Sequence, residues 1–369
     1  MRSGSRSLQA GVRAAFRSTG VRITAILLAS SVILVGQVSI TEFSTPTANS
    51  FPRSMTTWSD GNLWFTEYNA NQIGRITPGG VITEFPISAG SHPIRITVGP
   101  DGSLWVTEYS GNKILRGNTG GTVEFRVPTA GSGPDGITSG PDGALWFTEA
   151  NGNKIGRITT SGSITEFPIP TAGGRPIAIV TGSDGNLWFT ELNANQIGRI
   201  TTSGTVTEFP VPTAGGGAYW IAAGRDGNLW FTEENSNKIG RITTGGSITE
   251  FPLSGLRTPI GITSGPDGSL WFGEADGNNI GRITTSGSVT EFPIPTANSG
   301  PEGITTGPDG NLWFAEGQVN KIGRLASPAF GPALSAVPAL SEWGIFLGGI
   351  LLTALSWMLL TRGRGAVSD

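Results

Sequence analysis

The sequence predicts an all-β, seven-bladed β-propeller of four-stranded antiparallel blades, closed by an N-terminal strand that joins the last blade and flanked at each end by an apolar helix. Three observations predict it. Tryptophan recurs at Trp64, Trp105, Trp146, Trp188, Trp230, Trp271 and Trp313, always 41 or 42 residues apart, a period that belongs to propeller blades when its pieces are short and strand-like. Glycine (57) and proline (24) are abundant while charged residues make up 14% of the chain, as in a protein of many short strands joined by turns. The Glu-Phe pair that ends each unit appears before the first tryptophan, at Phe43, and is missing after Arg324. Residues 40–43 are therefore expected to supply the fourth strand of the final blade and to bury an otherwise open edge.

Each element follows from local chemistry. In the third unit, Gly136-Ile137-Thr138, residues 145–149, 154–159 and 164–167 read as four strands. Pro141-Asp142-Gly143, Gly152-Asn153 and Ser161-Gly162 separate them, and these are residues that favour tight turns. In Leu145-Trp146-Phe147-Thr148-Glu149 the two-residue alternation sends Leu, Phe and Glu to one face and Trp and Thr to the other. Both faces pack, because blades stack on one another.

The ends differ from this repeat. Arg2, Arg6, Arg13, Arg17 and Arg22 precede an apolar run at 23–35 with no acidic residue, which reads as an export signal or an N-terminal anchor within residues 1–39. After the propeller at 40–325 and a linker at 326–336, residues 343–360 form an apolar stretch long enough to cross a bilayer, followed by Arg362 and Arg364. Just before it, Val337-Pro338-Ala339-Leu340-Ser341-Glu342-Trp343-Gly344 resembles the IPTL-CTERM sorting signal of Gram-negative bacteria. That resemblance implies that residues 337–369 are handled by an exosortase-like membrane enzyme. Both ends lead to the expectation of a propeller held at the membrane, on the periplasmic or cell-surface side. A net charge of −3 gives no basic face for nucleic acid. With no cysteine, disulfides and thiolate chemistry are excluded.

Residues found in every unit are read as architecture. The Glu ending each second strand (Glu149 and its equivalents) and the Arg of each third strand (Arg157 and its equivalents) are expected to form neighbouring-strand ion pairs, and the Asp before each turn Gly is expected to cap that turn. Function is sought where units differ. The residue two before the inner-strand Ile, or its equivalent, is Arg53, Ile94, Asp135, Ile177, Tyr219, Ile260 and Glu302 in turn, and these are expected at one mouth of the central channel, where propellers bind ligands. Arg53 and Glu302 become neighbours once blade one meets blade seven, either as a seam ion pair or as part of a binding site. Arg175, Tyr219 and Trp220 would add a cation and aromatic surface, unless Trp220 merely packs blades.

The segments Asp142-Gly143-Ala144-Leu145-Trp146-Phe147-Thr148-Glu149 and Asn153-Lys154-Ile155-Gly156-Arg157-Ile158-Thr159, followed by Ile164-Thr165-Glu166-Phe167-Pro168, closely resemble the repeats of the virginiamycin B lyase (streptogramin lyase) family. The resemblance runs from about residue 40 to 325. It implies a carbon–oxygen lyase that opens a cyclic depsipeptide by elimination, with Mg²⁺ polarising the substrate and a histidine as base. In that family the histidines follow a proline in the inner strands of blades six and seven, and a Glu lies two residues before the second. The matching positions here are Ile260, Glu302 and Gly300, so both histidines are missing. A further metal-binding Glu of the family corresponds approximately to Glu316. The lone histidine, His92, falls in another blade and is expected to be solvent-exposed. The leading expectation is a propeller that binds a small-molecule or envelope ligand at the channel mouth, with Arg53, Asp135, Arg175, Tyr219, Ile260 and Glu302 as candidate contacts. The alternatives are a divergent Mg²⁺-dependent lyase using Glu302 and Glu316, and a structural envelope scaffold.

Overall fold

The computed structural model describes residues 38–118 and 120–330. The apolar segments at 23–35 and 343–360 and the sorting-signal residues lie outside them. Among the described residues no helix is long and apolar enough to cross a membrane.

Seven four-stranded sheets are present, each ordered from the inner to the outer strand. In blade 3 the strands are Pro134–Ser139, Leu145–Glu149, Lys154–Ile158 and Ile164–Pro168, all antiparallel. Blades 1 to 6 are built from contiguous chain in this way. Blade 7 takes three strands from the C-terminal side, Pro301–Thr306, Leu312–Glu316 and Lys321–Ala326, and its fourth from Ser39–Ser44. That closing strand pairs from Ser39↔Ala326 to Ser44↔Lys321, as the misplaced Glu-Phe pair predicts. Phe43 stacks on Trp313 at 5.6 Å between ring centroids, repeating the Phe-on-Trp stack of the other blades, such as Phe167 on Trp146 at 5.5 Å. The closing strand is thus held by the same aromatic contact as any outer strand.

The core lies between blades. Trp105 and Ile114 of blade 2 meet Ile137, Leu145, Phe147 and Ile158 of blade 3, so the two faces of a second strand address the following and the preceding blade. This is why Leu145–Glu149 is buried at every position. Phe147 lies over Gly156 of the third strand, where a Cβ would sit 2.1 Å from the ring; the glycine makes room for the phenylalanine. Blade 2 solves the same space differently, pairing Val106 with Leu115. Outside the core, each outer-strand Glu clasps the loop arriving from the preceding blade. Glu166 accepts from the backbone N–H and hydroxyl of Thr129, both at 2.8 Å, and from Lys154 at 2.8 Å. Glu42 of the closing strand does the same with Thr296 and Lys321.

The turn aspartates cap as expected: Asp184 accepts from the N–H of Asn186 at 3.2 Å and from the Trp188 indole at 3.1 Å. The expected Glu–Arg ion pairs do not form. Antiparallel register sets Arg157 opposite Trp146 and Glu149 opposite Lys154, at opposite ends of the hairpin. Arg157 donates instead to Asp142 at 2.6 Å and lies over the Trp146 ring. Glu67, Glu108, Glu149, Glu191, Glu233, Glu274 and Glu316 are fully buried. Burial pushes their carboxyls up, to about 7 at Glu149 and about 8 at Glu67 and Glu316, which favours the neutral form.

Candidate functional site

The inner strands carry a register irregularity at one place. In blade 3, Pro134 pairs with Glu149 and Ile137 with Phe147, so two residues, Asp135 and Gly136, stand where one would fit. The same bulge occurs in blades 1, 2, 4, 5, 6 and 7. Such bulges re-aim side chains and are common beside binding sites. Here the second-strand threonine stitches them together. Thr148 accepts from the Gly136 N–H of its own bulge at 2.8 Å and donates to the Ile177 carbonyl of the next blade at 2.7 Å. The Tyr219 and Ile260 carbonyls are held in the same way by Thr190 and Thr232. Blades 6 and 7 have Gly273 and Ala315 in place of the threonine, so no such hydroxyl holds Glu302 or Arg53.

These bulges bring most of the candidate residues together. Arg53 Nη2 donates to Tyr219 Oη at 3.1 Å and lies 3.6 Å from Glu302 Oε2. The guanidinium also lies 5.5 Å from the Tyr68 ring centre and 5.9 Å from that of Phe51. Asp135 pairs at 3.3 Å with Arg95 Nε, and the Arg95 guanidinium stacks 3.2 Å from the centre of the Trp220 ring. Trp220 reaches across the channel as well: a Cβ on Gly303 of blade 7 would lie 3.2 Å from its indole. Blades 1, 2, 3, 5 and 7 all contribute. Beyond Arg95 and Trp220 a cavity of about 340 Å³ continues along the axis, lined by Ile137, Ile179, Ile262 and Ile304 and reaching Ala223 and Ser264 at the far strand ends.

Burial shapes the charges. It pushes the Glu302 carboxyl up, against the opposing pull of Arg53 and Arg95. It also works against the charge on Arg53, but Glu302, Tyr219 and Asp135 more than offset it and the guanidinium pKa rises. Burial lowers Arg95 and raises Tyr219. When all four are ionised, the two arginines and two carboxylates balance in formal charge.

The other candidates make no side-chain hydrogen bond or ion pair with these residues among the described residues. Ile260 is half-buried and contributes apolar surface only. Arg175 is exposed and is felt electrostatically by Glu234, whose own carboxyl is pushed up by burial. Glu316 is not beside Glu302: it is buried next to Glu42 and Lys321, on the clasp side of its strand. His92 is half-buried rather than solvent-exposed, with its ring 4.8 Å from that of Tyr68. A divalent cation suits this set poorly. Among the described residues no three His, Cys, Asp or Glu side chains lie together, and Glu302, whose buried Oε2 has no hydrogen-bond partner, faces two guanidiniums that repel a cation.

Two sets of residues escape the sequence reading. Arg95 occupies the second bulge position, which strict alternation hides. The residue after each constant Glu forms a further variable ring, because its N–H donates to the carbonyl of the residue entering the inner strand: Tyr68 to Phe51, Tyr109 to His92, Leu192 to Arg175, Glu234 to Gly217 and Gly317 to Gly300. Its variation from unit to unit was the available signal.

Comparison with known proteins agrees with this architecture. The model of the virginiamycin B lyase family matches residues 32–215 and 175–329. The chain belongs to that family. A solved streptogramin B lyase is 41% identical, with 79% of this chain and 98% of that one covered and a TM-score of 0.76. The virginiamycin B lyase of Staphylococcus aureus, solved with quinupristin as a catalytically inactive histidine-to-alanine variant, is 42% identical over 79% of this chain and 99% of that one, also with a TM-score of 0.76. Hydrazine synthase of Kuenenia stuttgartiensis, at 17% identity and a TM-score of 0.63, covering 77% of this chain and 97% of its own, shares the fold alone. No curated protein sequence matches the chain.

Proposed function

We propose that this virginiamycin B lyase-family propeller is exported, anchored in the membrane by its C-terminal apolar segment after recognition by an exosortase-like enzyme, and binds a small molecule or envelope component at the channel mouth without eliminating it. One observation carries the binding reading: five blades contribute side chains to the mouth, where Arg53 reaches Tyr219 and Glu302 and Arg95 joins Asp135 to Trp220, while the positions matching the family's histidines hold Ile260 and Glu302. A binding mouth needs convergent polar groups on rigid strands, and elimination needs a base of suitable pKa beside an electrophile. The inner-strand bulges that carry Arg53, Asp135, Tyr219 and Glu302 support the first requirement. Calorimetry of the purified protein with cell-envelope fractions and defined small molecules tests the reading. Binding that Arg53→Ala abolishes supports it, and binding unaffected by Ala at Arg53, Asp135, Tyr219 and Glu302 together rejects it.

A second reading, a divergent streptogramin lyase with Glu302 as base, is favoured by the upward shift of the Glu302 carboxyl, which would let it accept a proton nearer neutrality than an ordinary carboxylate. Against it stand the paired Arg53 and a donor set that suits Mg²⁺ poorly.

A further inference from the structure

The mouth is lopsided. The residue entering each inner strand has positive φ in every blade. Blades 3, 5 and 7 use Gly133, Gly217 and Gly300, whereas blades 1, 2, 4 and 6 use Phe51 (φ 54), His92 (φ 47), Arg175 (φ 54) and Thr258 (φ 47). A bulky side chain in that conformation is strained, persists only where its surroundings hold it, and such residues cluster at ligand sites. Phe51 and His92 flank Tyr68, with ring centroids 6.5 and 4.8 Å away, and Tyr109 follows in blade 2. All four rings are half-buried. The corresponding places in blades 6 and 7 carry smaller residues, Thr258 and Ala275 in blade 6 and Gly300 and Gly317 in blade 7, and Gly317 is buried against Phe51. Aromatic rings therefore gather over blades 1 and 2, beside smaller residues on blades 6 and 7.

Beside those rings lies an ion pair with unmet hydrogen-bonding capacity on both sides. Arg53 and Glu302 are 3.6 Å apart, too far for a good hydrogen bond. Glu302 Oε2 has no hydrogen-bond partner, and Arg53, one-fifth exposed, spends only Nη2, on Tyr219, among the described residues. The missing Thr bridges beneath these two residues fall at the same seam. A buried acceptor without a donor is destabilising, and a ligand that donates to it recovers that loss. With both groups ionised the pair is neutral overall and selects neither an anion nor a cation. It selects a body that offers an O–H donor and an oxygen acceptor side by side, with a face that stacks on aromatic rings.

We propose that the mouth binds a saccharide, whose ring stacks on the Phe51–Tyr68–His92 rings while neighbouring hydroxyls donate to Glu302 and accept from Arg53. Each hydroxyl is both donor and acceptor, and the C–H face of a sugar ring complements the negative face of an aromatic ring. This rests on the mouth being a ligand site. The test is calorimetry on the full-length protein in detergent with chitotriose, cellotriose, maltotriose and mannotriose, with triglycine as an amide probe that also offers a donor beside an acceptor. At least one trisaccharide is expected to bind below ~10 mM, with about tenfold weakening in each of Arg53→Lys, Glu302→Gln and Tyr68→Leu, each variant still melting in a single cooperative transition above the temperature of the measurement. Binding of triglycine without any trisaccharide keeps the ligand site and overturns the saccharide. Saccharide binding indifferent to all three substitutions places it elsewhere and overturns the assignment. Absence of binding by all five probes overturns it as well, and a cell-envelope ligand that still requires Arg53 would then leave only the broader reading standing.

Discussion

The guanidinium of Arg95, from blade 2, crosses the channel and stacks 3.2 Å from the centre of the Trp220 indole on blade 5. This contact separates the charged mouth from the cavity beyond it and ties opposite sides of the ring together. A desolvated cation–π pair is worth about 2 kcal/mol. Trp220→Leu should lower stability by about that amount. Arg95→Met should cost more, about 3 kcal/mol, because it also strands the buried Asp135 carboxylate. Chemical denaturation of the two single variants and the double variant should show a coupling of at least about 1 kcal/mol; additive effects would mean that the stack contributes nothing.

Blade 2 replaces the Phe–Gly pair of its neighbours with Val106 and Leu115. Val106→Phe alone should overpack the blade and cost about 1–3 kcal/mol. Adding Leu115→Gly should restore much of the loss, since it recreates the pocket that Gly156 gives Phe147. Melting temperatures of the single and double variants check this.

Stability should fall on both sides of mildly acidic pH. The seven buried glutamates have raised pKa values in the folded state, so the folded protein binds protons that the unfolded chain releases. Their contribution is full below about 4.5 and is lost as pH rises through about 7 to 8. The clasp carboxylates act in the opposite sense. Burial tends to raise Glu166, but its bonds to Lys154 and Thr129 outweigh this and lower it, so its contribution is present at neutral pH and lost on acidification. Thermal melts between pH 3 and 9 should therefore peak near pH 5, and Glu149→Gln should make the alkaline decline shallower.

Architecture was legible because it repeats. Seven tryptophans give the blade count, and the displaced Phe43 gives the ring closure. Arg53 and Glu302 could be paired from the sequence because closure alone makes them neighbours. Arg95 could not be found in this way, since a bulge places two consecutive residues toward the channel where alternation allows one. The Glu–Arg pairing failed for a related reason: recurrence in every unit does not reveal at which end of a hairpin a side chain lies, and register does. His92 reads as solvent-exposed in the sequence because a left-handed entry to a strand leaves no periodic trace.

The central claim is that a family member lacking both matched histidines retains a binding mouth but not the elimination. Incubating purified protein with a streptogramin B antibiotic, with and without Mg²⁺, and following the ring-opened product by mass spectrometry tests it most directly. The account predicts intact antibiotic at the rate of the protein-free control, and linear product formed faster than that control and lost in Glu302→Gln would contradict it.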